Sequence, residues 1–233
     1  MKIIIVIPSY NEETILERNI AQILEAVRVL PYDIKIVVSD NASKDRTAEI
    51  GRKLASENEM IDYVFVGEPG KGAAILDAWK KYDAEVYGFM DADLAVDLSA
   101  LSPALESFGG GFDIAIGSRR IKSSCVKREF YRKFTSAVLN SIIRALLKTK
   151  IRDTACGFKF FKRDVIDRIV PQVRDRKWTF DTELLILAEK AGFKIKQIPV
   201  KWEEKGERSS RIVPVPTIVG YLKKIFELRR RIM

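Results

Sequence analysis

Between residues 2 and 117 the chain switches repeatedly between two hydrophobic periods, and that alternation limits the folds open to it. Lys2 to Pro8 is an unbroken β-branched run, the pattern of a strand covered on both faces. Leu16, Ile20, Ile23, Val27 and Leu30 then recur at spacings of four and three, which marks one face of a helix. Ile34–Val38 reads as a second strand, and Ser43 or Asp45 can cap a helix running to about Ser56. Ile61–Val66 is a third strand, Gly70–Tyr82 a helix, and Glu85–Met90 and Phe112–Gly117 two further strands. This order predicts a mostly parallel sheet flanked by helices, with ligands at the carboxyl ends of the strands. The second half is less regular. Phe130–Leu147 reads as a basic amphipathic helix, Cys156–Phe161 as a strand, Asp181–Ala191 as a helix ended by Gly192, Phe193–Val200 as a strand and Pro214–Arg230 as a terminal helix. No repeat or linker interrupts the pattern, so a single α/β domain over residues 1–233 is expected.

Charge is distributed unevenly. Residues 1–118 carry 11 basic and 20 acidic side chains, while residues 119–233 carry 30 basic and 12 acidic ones. Between Arg119 and Arg152 there are 11 basic residues and one acid, Glu129. An anionic partner for the second half follows: nucleic acid, an anionic membrane surface or a phosphorylated substrate. The sequence has no histidine, which removes Ser-His-Asp and Cys-His catalysis and His-ligated metal sites. Cys125 and Cys156 are too few for a disulfide framework or a Cys-rich zinc site, and both are expected as reduced thiols in the cytoplasm. Ile212–Leu222 is uncharged but has only 11 residues and two prolines, against the roughly 20 apolar residues of a spanning helix. The apolar start, Met1–Ile7, is read as a buried strand and not as a signal peptide.

The residues that follow the strands carry the chemistry. Neither G-x-G-x-x-G nor G-x-x-x-x-G-K-[ST] is present. The first strand instead ends in Pro8-Ser9-Tyr10-Asn11-Glu12 and the second in Ser39-Asp40-Asn41-Ala42-Ser43-Lys44-Asp45. A carboxylate there suits the N–H groups of a base or the hydroxyls of a ribose, and equally a turn or helix cap. Gly70-Lys71-Gly72 opens a helix, where free N–H groups and Lys71 together would favour an anion. Asp91-Ala92-Asp93 follows an apolar strand. On an extended chain its two carboxylates point the same way and can converge on a hard divalent cation, Mg²⁺ or Mn²⁺.

Together Val6-Ile7-Pro8-Ser9-Tyr10-Asn11-Glu12, Asp40 to Asp45, Met90-Asp91-Ala92-Asp93 and Gly117-Ser118-Arg119 resemble glycosyltransferase family 2, of GT-A fold. Asp153-Thr154-Ala155-Cys156-Gly157-Phe158-Lys159 and Trp178-Thr179-Phe180-Asp181-Thr182-Glu183-Leu184-Leu185 resemble its dolichyl-phosphate glucosyltransferase branch. The resemblance implies a Rossmann-like sheet with a nucleotide-sugar half, about 1–118, and an acceptor- and membrane-facing half, about 119–233. It implies that Pro8, Tyr10 and Glu12 line the nucleotide pocket, Asp40 holds the base, and Lys71 and Gly72 lie near the nucleotide. Asp91 and Asp93 become the D-x-D pair that bridges ribose, metal and diphosphate, and Arg119 meets a phosphate. Ser210-Arg211-Ile212 resembles a late phosphate-recognition motif. Ala95 stands where a related branch has a metal-binding Gln, Asn41 where a second Asp is common, and Arg211 where Lys is usual.

Transfer with inversion then needs a nucleophile. A hydroxyl acceptor, such as a growing polysaccharide, needs a base, for which Asp181 or Glu183 is available; either residue could also orient the sugar or cap its helix. A polyprenyl phosphate needs no base but needs cations, for which Arg119, Arg128, Arg132, Lys133 and Arg211 are available. The charge asymmetry favours the phosphate. The resemblance implies hexose transfer onto dolichyl phosphate, with glucose from UDP-glucose first and mannose from GDP-mannose as the near alternative. This transfer would take place on the cytoplasmic face of a membrane reached through basic amphipathic helices. A basic membrane- or nucleic-acid-binding module without catalysis is the rival reading; nucleic acid is not the expected partner.

Overall fold

The opening β-branched run forms β1 (Lys2–Ser9), and its side chains divide between two cores. In the computed structural model, which describes residues 1–127, 140–204 and 215–232, it is followed by α1 (Leu16–Arg28), β2 (Asp33–Asp40), α2 (Thr47–Glu57), β3 (Ile61–Phe65), α3 (Lys71–Trp79) and β4 (Val86–Met90). Then come α4 (Leu101–Glu106), β5 (Ile114–Ser118), β6 (Cys125–Lys127), a helix at 140–147 (α5), β7 (Phe158–Lys162), α6 (Arg163–Ile169), α7 (Phe180–Lys190), β8 (Ile195–Pro199), β9 (Lys201–Glu203) and α8 (Val215–Ile232). One seven-stranded sheet has the order β3-β2-β1-β4-β7-β5-β8. Only β7 opposes its neighbours; the other pairs are parallel. Because β7 enters between β4 and β5, the two halves of the sequence share one sheet.

Successive side chains of a strand face opposite ways. Ile3, Ile5 and Ile7 therefore join Ile34, Ile36 and Val38 under Leu16, Ile20 and Ile23 of α1. Ile4 and Val6 join Val37 and Phe89 under α3, α6 and α7. Both faces of the sheet are covered, as the continuous apolar run requires. Gly192, at φ +87°, ends α7 as the sequence indicates.

Three features lie outside the sequence expectations. Helices α4 and α6 have six and seven residues, too few to show a period. Strands β6 and β9 form a short parallel ribbon, tied to the residues after β4 by an antiparallel bridge between Val96 and Trp202. Helix α8 is docked: Ile225 and Leu228 are buried against the body, and the Tyr221 hydroxyl lies 3.0 Å from Thr182 Oγ1. Ile143 and Leu147 of α5 are buried too. The apolar stripes of both helices thus face inward among the described residues, leaving Ile142 and Phe226 outside. No helix of the described residues is long and apolar enough to cross a membrane.

Gly88 lies opposite Phe160 across the β4–β7 pair, and a Cβ there would strike the Phe160 ring. Gly88→Ala is expected to lower unfolding stability by about 1–3 kcal/mol, the usual range for overpacking, as measured by urea denaturation.

Candidate functional site

The loops after β1 and β2 are laced together. Asn41 N–H donates to the Ser9 carbonyl at 2.8 Å, Lys44 N–H to Asn11 Oδ1 at 2.8 Å, and Glu12 N–H to Thr47 Oγ1 at 2.7 Å. This fixes Pro8, half-exposed Tyr10 and buried Glu12 at the rim of the sheet. Asp40 is fully buried; its carboxylate accepts from the Tyr63 hydroxyl at 2.9 Å and from Ser43 N–H at 3.0 Å. Burial, with the Asp40 carboxylate beside it, pushes the Tyr63 phenol up to about 12. Asp40 in this conformation holds its turn, and a base can reach it only if that turn opens. Asn41 donates to the Glu68 carbonyl at 2.6 Å and accepts from Gly70 N–H at 2.6 Å. An aspartate could not do both, which accounts for the Asn at this position.

The start of α3 departs from expectation. Two of its first N–H groups are not open to an anion: Gly72 N–H donates to the Lys177 carbonyl at 3.1 Å and Ala73 N–H to the Arg176 carbonyl at 2.8 Å. Asp175 Oδ1 holds that segment in turn, accepting from the N–H groups of Lys177 and Thr179. What α3 offers an anion is the Lys71 ammonium.

Asp91 and Asp93 lie just beyond β4, but on a turn and not on an extended chain. Leu94 N–H returns to the Asp91 carbonyl at 3.2 Å, and Leu94 has φ +49°. Both acids line one cleft with Ala95, Gly157 and Trp202. Asp91 N–H donates to the Gly157 carbonyl at 2.9 Å, and a Cβ at Gly157 would overlap the Asp91 carboxylate. Glycine in the Asp153–Lys159 segment is thus what lets β7 approach the acid turn. Lys71 Nζ sits 2.5 Å from Asp91 Oδ1 and 5.2 Å from the centroid of the Phe89 ring. Burial would lower the pKa of Lys71, but the carboxylates of Asp91, Asp181 and Asp93 outweigh it and hold the ammonium charged.

Lys159 is the main residue that sequence reasoning missed. It faces Phe89 across β4–β7, has no exposed surface, and donates to Asp181 Oδ2 and to the Cys156 carbonyl, each at 2.6 Å. The signal was a lysine inside the apolar run Phe158 to Phe161, since a buried charge demands a partner. Asp181 does not cap α7, which begins one residue earlier at Phe180. Glu183 accepts from the N–H groups of Arg174 and Asp175 and pairs with Arg231 of α8. Both candidate bases are engaged inside the protein.

Arg119, expected to meet a phosphate, is engaged as well. Its Nε and Nη2 meet Asp153 at 2.7 and 2.9 Å, and its guanidinium lies 5.6 Å from the centroid of Trp202. Burial raises the Asp153 carboxyl, but the guanidinium and its hydrogen bonds outweigh that and hold it at about 2. Burial pushes the neighbouring Cys156 thiol up to about 12, which keeps it protonated. Cys125 is exposed and free. A groove of about 440 Å³ continues from the acid turn between residues 94–98 and the β6–β9 ribbon. Arg128, Arg132, Lys133 and Arg211 lie outside the described residues, as does the first part of the Phe130–Leu147 segment.

Two part-exposed carboxylates on one turn fit a hard divalent ion that takes its other ligands from a diphosphate and water. Ala95 adds no ligand, and the described residues contain no cluster of three or more metal-ligating side chains.

The family model for glycosyl transferase family 2 matches residues 4–170, most of the sheet and the whole acid turn. The chain belongs to this family. Similar curated proteins include the glycosyltransferase AglD of Haloferax volcanii, 31% identical over 91% of this chain and 35% of that one. A dolichyl-phosphate beta-glucosyltransferase of Trichomonas vaginalis is 32% identical over 86% of this chain and 65% of its own. A dolichol-phosphate mannosyltransferase of Pyrococcus furiosus is 30% identical over 99% of this chain and 64% of its own. The chain therefore spans about a third of the first of these relatives and just under two thirds of the other two. In fold it is similar to glucosyl-3-phosphoglycerate synthase from Mycobacterium tuberculosis, solved with Mn²⁺, UDP and phosphoglyceric acid. The TM-score is 0.70 over 99% of this chain and 78% of that one, at 16% identity. The mostly parallel sheet with helices on both faces is the GT-A arrangement that the motifs imply.

Asp153→Asn is expected to cost about 3–5 kcal/mol at neutral pH, because it leaves the buried Arg119 unpaired. The folded-state pKa of Asp153 lies below its unfolded value, so the pair stabilises fully above about pH 4 and progressively less toward pH 2. Urea melts at pH 7, 4 and 2.5 should show the gap between wild type and variant closing only across the acid window.

Proposed function

We propose that this chain transfers a hexose from a nucleoside diphosphate sugar to the phosphate of a polyprenyl lipid, with inversion at the anomeric carbon. The observation that carries the choice of acceptor is the engagement of Asp181 and Glu183: one is held by a buried lysine, the other by two backbone N–H groups and an arginine. A hydroxyl acceptor needs a carboxylate able to take its proton. A phosphate monoester is already an anion and attacks without one. Two of the relatives named above are described as a dolichyl-phosphate glucosyltransferase and a dolichol-phosphate mannosyltransferase, in line with this reading. We take UDP-glucose as the donor and GDP-mannose as the alternative.

In this reading Pro8, Tyr10 and Glu12 border the nucleotide, with Tyr10 as the exposed surface on which a base can rest. Asp40 contacts the base after its turn opens. Asp91 and Asp93 would hold Mg²⁺ or Mn²⁺, which would supply positive charge for a departing diphosphate. Lys71 reaches the same diphosphate from the start of α3, with Gly72 beside it. Arg119, fixed by Asp153, lends its field to the acceptor phosphate, and Arg128, Arg132, Lys133 and Arg211 gather that phosphate. Basic residues of α5, α8 and the segment before α5 draw the protein to the cytoplasmic face of a membrane, each contributing ~1 kcal/mol near anionic lipid.

The test is incubation with Mg²⁺ or Mn²⁺, a panel of nucleotide sugars and a polyprenyl phosphate, followed by glycolipid analysis. Asp93→Asn should lower turnover at least ~10²-fold. Asp181→Asn, corrected for any loss of folded protein, should lower it less than about tenfold; a loss of ~10²–10⁴-fold would mark Asp181 as a general base and reject a phosphate nucleophile.

A further inference from the structure

The acid turn already holds a cation. Lys71 Nζ lies 2.5 Å from Asp91 Oδ1, beside the cleft that Asp91 and Asp93 line. Its side chain is only 14% exposed, against 40% for Asp91, so the ammonium sits beneath the carboxylate and the carboxylate faces the opening. Its neighbours leave it little alternative. Asp181 is committed to Lys159, and the Phe89 ring lies 5.2 Å from Lys71 Nζ. The backbone N–H groups of Gly72 and Ala73 are bonded to Lys177 and Arg176, which leaves the Lys71 ammonium as the charged donor for an arriving diphosphate at this end of α3.

We propose that Lys71 is a built-in counter-cation for the acid turn, which disfavours metal binding until a nucleotide diphosphate draws the ammonium away. This rests on the assignment of Asp91 and Asp93 as metal ligands. Without nucleotide, a divalent ion at Asp91 must displace Lys71 or stand against its like charge. With nucleotide, the diphosphate oxygens accept the ammonium and complete the ion's ligand shell. Metal and nucleotide then bind with positive coupling, and each strengthens the other by the same factor. The device keeps the acids from holding a metal that has no substrate to act on.

The experiment is titration of the whole protein with Mn²⁺, followed by calorimetry and by the Mn²⁺ paramagnetic resonance signal, with and without UDP. Wild type should bind Mn²⁺ at least about tenfold more tightly when UDP is present, within the range usual for coupled sites. Lys71→Met and Lys71→Gln, checked for folding by circular dichroism, should bind Mn²⁺ more tightly than wild type without UDP and show a smaller gain on adding it. Wild-type affinity that is the same with and without UDP overturns the proposal even if neither variant folds. So does an unchanged or weaker nucleotide-free affinity in a folded variant. Asp93→Asn separates the two levels: if it leaves Mn²⁺ binding intact with UDP present, the metal assignment itself fails, whereas its loss beside an unaltered Lys71→Met rejects only the role of Lys71.

Discussion

Lys159 has no exposed surface, and Asp181 makes its burial tolerable. Removing an ammonium from water is penalised by several kcal/mol unless a counter-charge and further acceptors surround it. The Asp181 carboxylate and the Cys156 carbonyl, both at 2.6 Å, supply them. That requirement brings the start of α7 down onto β7, and the geometry of the cleft follows. Phe180 packs on Phe89 with ring centroids 5.6 Å apart, and the preceding segment lies against the first turn of α3. Lys71 is thereby placed over the same Phe89 ring and against Asp91. The two lysines and the two acids that bind them surround one aromatic side chain. An error in any of these contacts would move the carboxylates of the acid turn.

The ion pairs differ in a way that fits their positions. Lys159–Asp181 and Arg119–Asp153 are closed, with the side chains of both acids under a tenth exposed. They act as fixed parts of the frame. Lys71–Asp91 joins a mostly covered ammonium to a carboxylate that is 40% exposed, so solvent or a ligand can compete for it. Glycine at 157 makes this contrast possible, since any side chain there would occupy the space of the Asp91 carboxylate. The rigid pairs lie under and beside the cleft, and the exchangeable one opens into it.

Much of this was legible in the residues. The β-branched run at Lys2–Pro8, the four-and-three spacing from Leu16 and the Gly192 stop each express a local rule, and local rules survive folding. The acid turn was found because two charges after a buried strand need a reason. Tertiary partnering was not legible. The N–H groups of α3 read as open because their acceptors, the carbonyls of Arg176 and Lys177, lie a hundred residues away in the chain. Asp181 read as a cap or a base because nothing local announces Lys159. The pairing of Arg119 with Asp153 was not legible either, because spacing carries no information about which charges meet. The β6–β9 ribbon went unseen because three-residue strands have no period to detect.

Engagement of the acids also bears on the proposed transfer of a sugar. Around the acid turn, Asp91, Asp93 and Asp181 lie close to Lys71 and Lys159, so acids and cations are interspersed there. In the proposed reading a divalent ion and a diphosphate enter together and nearly cancel each other's charge. In the sequence, eleven basic residues and one acid lie between Arg119 and Arg152. If, as proposed, that stretch serves the acceptor, it is poorly suited to a neutral hydroxyl, which gains nothing from the cations and needs a base that Asp181 and Glu183 are not placed to supply. It is well suited to a phosphate, whose own charge serves both for attraction and for attack.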